Sequence, residues 1–244
     1  MSNGNCKVIV VLPAYNAEKT LRRVVAEIAK EGIDEVLLVD DGSNDQTVAI
    51  AQELGLFVHR HEQNRGYGAN QKTCYTLALE HGADIVVMLH PDYQYDPKLI
   101  GHFVRVIQDG MFDLMLGSRI RSHKEALAGG MPLYKYLGNR ALTLLENLLS
   151  GQNLSEWHTG MRAYRREVLS GIDFMSNSDD FVFDTQILFQ AVAKGFRIGE
   201  IAVPVRYFPE ASSINFMRSV TYGLGTVLVA CNYFFRRMFR GVGK

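Results

Sequence analysis

Short apolar runs alternate with stretches of helical periodicity through the first half of this 244-residue chain. Lys7–Leu12 reads KVIVVL, apolar after its lysine and rich in β-branched residues, the pattern of a strand covered on both faces. Pro13 breaks it, and Leu21, Val24, Val25 and Ile28 follow on one helical face. Glu35–Val39 is a second run, ending in Asp40 and Asp41. Asp45 is placed to N-cap a helix that Gly55 stops. Leu56–His59 begins a third strand, Gly68–His81 reads as a helix, and Ile85–Leu89 is a fourth strand. Pro97 opens a further helix in its first turn, and Asp113–Leu116 is a fifth strand. This βαβαβ rhythm predicts an α/β fold with a parallel sheet covered by helices on both faces.

The rhythm weakens after Arg119. Arg121–Tyr134, with its charges, Gly129–Gly130 and Pro132, reads as a mobile loop. Leu142–Leu149 reads as a helix, Gly160–Tyr164 as a short strand, Phe183–Ala193 as a helix ended by Gly195, and about Arg197–Val205 as a last strand. Ser219–Phe235 carries no charge. As a helix it spans about 25 Å, short of a hydrocarbon core of about 30 Å. Val220, Leu224, Val227, Leu228, Cys231, Phe235 and Met238 form one stripe, followed by Arg236, Arg237, Arg240 and Lys244. A helix lying in a membrane interface with arginines at anionic headgroups explains this pattern. Packing on its own domain or on a second subunit is the alternative, so a homo-oligomer stays open.

Composition narrows the function. Lys and Arg number 26, as do Asp and Glu, which leaves no basic footprint for nucleic acid. The three cysteines (Cys6, Cys74, Cys231) have no metal-like spacing and fit a reducing cytoplasm. The polar stretch Met1–Cys6 lacks the apolar core of an export signal. Ligands of open α/β sheets bind beyond the carboxyl ends of the strands. Here those ends carry Tyr15 and Asn16, then Asp40 and Asp41, then Asn64 and Arg65, then Asp92. A single such residue is more often a turn former or cap. Four loaded strand ends in succession point to a site.

These residues resemble the family 2 glycosyltransferases, and within them the polyprenyl-phosphate branch similar to dolichol-phosphate-mannose synthases. VVLPAYNAE (Val10–Glu18), VDDGSNDQT (Val39–Thr47) and NRGYGAN (Asn64–Asn70) stand in the family's order, followed by GSR (Gly117–Arg119) and TGMRAYRREVL (Thr159–Leu169). The resemblance implies a single GT-A-type domain, Rossmann-like, mostly parallel and flanked by helices. Residues 1–118 would be the nucleotide-sugar half, 119–210 the acceptor half and 215–240 a C-terminal amphipathic helical segment. It implies an inverting hexosyltransferase taking a UDP- or GDP-sugar as donor. The acceptor would be a polyprenyl phosphate, with a soluble or polysaccharide acceptor or a non-catalytic nucleotide-sugar-binding role as alternatives. By resemblance Asp41 contacts base or ribose, with Pro13, Tyr15, Glu18, Asn64 and Gly66 lining the pocket. Asp40 contacts the nucleotide or holds the loop. The diphosphate calls for a divalent cation, Mg²⁺ or Mn²⁺.

The family usually carries two aspartates one residue apart after the fourth strand. Here the string is HPDYQYDP, with Asp92 at the second position and His90 at the first. Imidazole suits Mn²⁺ better than Mg²⁺, and a structural histidine is the other reading. For the base, Glu156 has the family's offset from Arg162 and His158 is close by, with Asp180 as rival; Asp184 reads equally as a helix-start carboxylate. Arg119, Arg162 and Arg206 are candidates for phosphate contacts, and Tyr207–Phe216 transfers no role. The implied location is cytoplasmic, peripheral on the inner face of the membrane.

Overall fold

The computed structural model describes residues 6–29, 31–120, 131–204 and 216–241. Residues 121–130 of the loop expected at 121–134, Arg206 and residues 207–215 lie outside them. Among the described residues seven strands form one sheet in the order β3-β2-β1-β4-β6-β5-β7. β1 (Val8–Ala14), β2 (Glu35–Asp40), β3 (Phe57–Arg60) and β4 (Ile85–Met88) are parallel. β5 (Leu114–Ser118) and β7 (Ile198–Ala202) are parallel to each other. Between β4 and β5 stands β6 (Arg162–Arg165), antiparallel to both. The simple parallel order that the rhythm predicts is therefore interrupted at its fifth position. The interruption matters for function. Arg162 pairs with Met88 at the carboxyl end of β4, so the segment entering β6 arrives at the end of the sheet where ligands bind.

Alternating side chains divide the sheet between two apolar layers. Ile9, Val11, Leu37, Val39, Val86 and Met88 face α3 (Tyr67–Glu80), α6 (Arg166–Gly171) and α7 (Phe183–Ala193). Val8, Val10, Leu12, Leu38, Ile85 and Val87 face α1 (Leu21–Glu27), α2 (Thr47–Glu53) and α4 (Ile100–Gln108). Gln46, not Asp45, occupies the capping position of α2, although the Asp45 carboxylate accepts from the Thr47 amide at 2.9 Å.

Two helices differ from expectation. α5 runs from Leu133 to Ser150, beginning well before Leu142, and absorbs Leu133 and Tyr134 from the expected loop. Its polarity is inverted. Asn139, Thr143, Glu146 and Ser150 are buried, whereas Leu133, Leu137, Leu144 (70% exposed) and Leu148 (75% exposed) face out. α8 (Phe216–Gly241) has 26 residues and is about 39 Å long, longer than the uncharged stretch suggested. Packing on its own domain holds for one face of that stretch, and the other face is left exposed. Thr226 and Ala230 are buried, with Val229 and Tyr233 packed on the core, while Val220, Leu224, Leu228, Phe235 and Met238 face out. α8 lies against α5 and α7. No helix among the described residues is long and apolar enough to cross a membrane.

The start of α3 is tightly built. A methyl group on Gly68 would meet the Ser178 carbonyl and lie 2.8 Å from Phe183 Cβ. Gly101, inside α4, has open space around it. Gly68→Ala should destabilise by about 1–3 kcal/mol through overpacking. Gly101→Ala should stabilise by about 0.5–1 kcal/mol through helix propensity. Thermal unfolding should therefore move the two midpoints in opposite directions, and equal shifts would contradict this packing.

Candidate active site

Two loops after β1 and β2 are laced together at the first pair of strand ends. Asn16 adopts a left-handed φ of 50°, and its amide donates to Ser43 Oγ at 2.8 Å while its Oδ1 accepts from the Asn44 amide at 3.0 Å. The Ala17 amide reaches Thr47 Oγ1, the Glu18 amide reaches Asp45, and the Glu18 carboxylate accepts from the Gln46 amide at 3.0 Å. Glu18 thus holds the loop. Pro13 is buried within β1, and Tyr15 beyond it is 50% exposed. Asp40 is buried, and its Oδ2 accepts from the Ser43 amide while its Oδ1 has no hydrogen-bond partner. A buried acceptor left unpaired is costly. Asp41 is taken up further. Its Oδ1 accepts from the Arg65 amide (2.9 Å) and lies 2.8 Å from His61 Nδ1, and its Oδ2 accepts from the Gly66 amide (3.0 Å). That carboxylate shapes the loop carrying exposed Asn64 and half-buried Gly66. Gly66 has φ 101°, and an added Cβ would lie 2.6 Å from the Asp179 carbonyl.

The turn after β4 brings His90 and Asp92 together. It is pinned from outside. Thr20 Oγ1 donates to the Pro91 carbonyl, and Tyr93, in a left-handed conformation unusual for an aromatic residue, donates to Glu27 beneath the Arg23 guanidinium. Asp92 Oδ1 accepts from the Gln94 amide at 3.0 Å. His90 stacks on Tyr67, with Nε2 3.1 Å from the phenol oxygen. Tyr67 donates to Asp184 Oδ2 at 2.8 Å, Gln71 donates to Asp184 Oδ1, and Arg162 Nη1 lies 3.3 Å from it. Burial pushes the His90 pKa down, opposed by Asp92 and Asp184. Burial and then Asp184 push the Tyr67 phenol well above its ordinary value, so it keeps its proton. Arg162 is 0% exposed, and its guanidinium is turned to Asp184 and to the Thr159 carbonyl. It does not reach the open site as a phosphate ligand, because its charge is spent on a buried carboxylate.

The segment entering β6 makes the third part. Glu156 is 0% exposed and accepts from the Arg119 amide (2.6 Å), Arg119 Nε (2.8 Å), Arg119 Nη2 and Asn139 Nδ2 (2.8 Å). Arg119 also donates to the His158 carbonyl. His158 is clamped between two helices, with Nδ1 2.6 Å from the Tyr222 hydroxyl and Nε2 3.0 Å from Glu146. Glu156 is not posed as a base, since four donors hold it, and His158 is buried between Tyr222 and Glu146 with its Nε2 making no hydrogen bond. Asp180 stays exposed and accepts from the Phe181 amide, with the Phe181 ring 4.5 Å from that of Tyr67. Lys135 on α5 had no sequence signal. Burial and then the nearby Arg119 charge push its pKa down.

The chain matches the family model Glycosyl transferase family 2 over residues 9–172, well over half its length. This protein is a family 2 glycosyltransferase. It is 33% identical to a dolichyl-phosphate hexose transferase of Haloferax volcanii, covering 81% of this chain and 82% of that one. It is 28% identical to a UDP-N-acetylglucosamine–dolichyl-phosphate N-acetylglucosaminyltransferase of Methanococcus voltae, covering 97% of each. Its fold resembles glucosyl-3-phosphoglycerate synthase from Mycobacterium tuberculosis, solved with Mn²⁺, UDP-glucose and phosphoglyceric acid. The TM-score is 0.72 at 21% identity, over 93% of this chain and 80% of that one.

The Glu156–Arg119 pair separates two roles for the carboxylate. Breaking a buried ion pair from one side costs about 3–5 kcal/mol. Glu156→Ala should therefore lower the unfolding midpoint by several degrees along with activity. Loss of turnover at an unchanged midpoint would instead make Glu156 a base.

Proposed function

We propose that this glycosyltransferase moves a hexose, with inversion, from a UDP- or GDP-sugar to a polyprenyl phosphate held in a membrane. The observation that carries this reading is the inverted polarity of α5. A helix whose leucines face out and whose Asn, Thr, Glu and Ser face in implies an apolar medium on its outer side. Exposed Leu224, Leu228 and Phe235 extend that surface along α8, with Arg236 and Arg237 at its end. Lys135 and Arg119 lie on the protein side of the same helix, where the phosphate of a lipid would need cations. The names of the two archaeal relatives point to the same acceptor class. The enzyme would then sit peripherally on the inner face of the cytoplasmic membrane.

At the donor end, Tyr15 offers a stacking face and Asp40 Oδ1 an unpaired acceptor for a base or ribose donor. Asp92 and His90 would hold a divalent cation on the diphosphate. Among the described residues no three His, Cys, Asp or Glu side chains converge as a metal cage. Asp92 and His90 supply two candidate ligands, which suits a cation that takes the rest from the nucleotide. Such a cation supplies charge neutralisation for the departing nucleoside diphosphate. In the transfer, an acceptor phosphate oxygen attacks the anomeric carbon while the bond to the diphosphate breaks. An ionised phosphate has no proton to lose, so the reaction needs no base, in keeping with a Glu156 committed to Arg119. Asp180, exposed, would be the candidate base only for a hydroxyl acceptor.

The deciding assay supplies UDP- and GDP-hexoses with Mn²⁺ and polyprenyl phosphate in anionic vesicles. Transfer to the lipid is expected, and Asp92→Asn should lower it by orders of magnitude at an unchanged unfolding midpoint. Transfer only to soluble sugars would overturn the acceptor.

Membrane contact has its own test. A buried leucine contributes about 1.5–3 kcal/mol. Replacing Leu144 and Leu228 together by serine should weaken vesicle binding by about 100-fold or more, and high salt should weaken the native protein only partly. A native chain that ignores vesicles, and a dimer that the same replacements split, would make this face a subunit interface.

A further inference from the structure

The relay behind His90 fixes more than its position. Tyr67 has one hydroxyl proton, and it points at the Asp184 carboxylate, which can only accept. The phenol oxygen can then only accept from His90 Nε2, which lies 3.1 Å away. In the neutral ring the proton therefore sits on Nε2, and Nδ1 keeps its lone pair. The same edge of the ring faces inward, since a methyl group on Gly160 would meet His90 Cδ2 at 2.8 Å and Nε2 at 3.3 Å. Nδ1 is on the opposite edge. Asp184 is in turn held by Arg162 and Gln71, both buried, so the chain ends on groups that cannot rotate freely.

We propose that Tyr67, fixed by Asp184, is a positioning residue that sets the Nε2–H tautomer of His90 and so presents Nδ1 as a nitrogen ligand to the donor's divalent cation. A histidine ligand gains orientation and basicity when its other nitrogen donates to a fixed acceptor, and loss of such a partner typically costs 10–100-fold in metal affinity. A nitrogen ligand also selects among cations. It suits Mn²⁺, whereas Mg²⁺ prefers oxygen donors and holds its waters. Asp92 supplies the carboxylate, and Tyr67 with His90 makes the site discriminating.

This inference rests on the cation site proposed above, and the experiment separates the two. Full-length protein labelled with ¹⁵N-histidine is loaded with Mn²⁺ and UDP, and pulsed electron paramagnetic resonance reads nitrogen coupled directly to the metal. One coupled nitrogen is expected, and it should vanish in His90→Asp, which places it on His90 among the seven histidines. Tyr67→Phe keeps the ring and its stacking but removes the hydroxyl. It should weaken Mn²⁺ binding to the UDP complex by about 10-fold or more and leave Mg²⁺ binding unchanged. Mn²⁺ bound with no coupled nitrogen would overturn the ligand assignment and leave the cation site standing. Equal losses for Mn²⁺ and Mg²⁺ in Tyr67→Phe would reduce Tyr67 to a packing residue. Absence of any Mn²⁺ binding with UDP would overturn both.

Discussion

The buried pair of Arg162 and Asp184 is the constraint on which the site depends. A guanidinium wholly removed from water is tolerated only when a carboxylate and carbonyls surround it. Burial works against the Arg162 charge, but the Asp184 carboxylate beside it more than offsets this and holds the group firmly protonated. Arg162 belongs to β6, Asp184 to the first turn of α7, and the remaining lone pairs of Asp184 are taken by Gln71 and Tyr67 of α3. One ion pair thus fixes an antiparallel strand and two helices against one another, and through Tyr67 it fixes His90 at the end of β4. Moving any of these elements would strand a charge. The catalytic end of the sheet is therefore held by polar interactions, while the sheet itself is held by apolar alternation.

That division explains what could be read from the sequence. β1, β2 and β4 are continuous apolar runs because helices cover both faces, and such runs are visible without knowing their neighbours. The insertion of β6 between β4 and β5 was not visible, because pairing order depends on contacts between distant segments and leaves no mark on a short strand's own pattern. At the site, the motif residues fall at the expected end of the sheet, yet what each does was only partly legible. Arg162 and Glu156 are polar residues in motif positions, and polarity alone reads as exposure. Their burial follows from partners at Asp184, Arg119 and Asn139 that lie far away in sequence. Tyr67 stood inside NRGYGAN, but its role appears only when Asp184 is placed beside it.

α5 shows a different limit. Amphipathic periodicity locates a helix but does not say which side faces the protein. Here Asn139, Glu146 and Asn147 turn inward, where they hold Glu156, His158 and the Trp157 indole, and the leucines turn outward. Read with the usual assignment of apolar to inside, the beginning of the helix merges into the preceding charged stretch. The inversion places polar anchors of the segment entering β6 and outward leucines on the same helix. A surface suited to an apolar medium is thereby rigidly joined to the residues that surround Arg119.

This joining bears on why Glu156 is not posed as a base. A hydroxyl acceptor would require a carboxylate with a free lone pair at the reacting centre. The best-placed carboxylate, Glu156, instead neutralises Arg119 and is surrounded by four donors. A second cation, Lys135, stands near Arg119 and has its pKa lowered by burial and by that guanidinium. Lys135 and Arg119 thus stand as two neighbouring cations beside α5. A phosphate brought there would place an anion beside Lys135 and Arg119 and would arrive already ionised, with no proton for a base to remove.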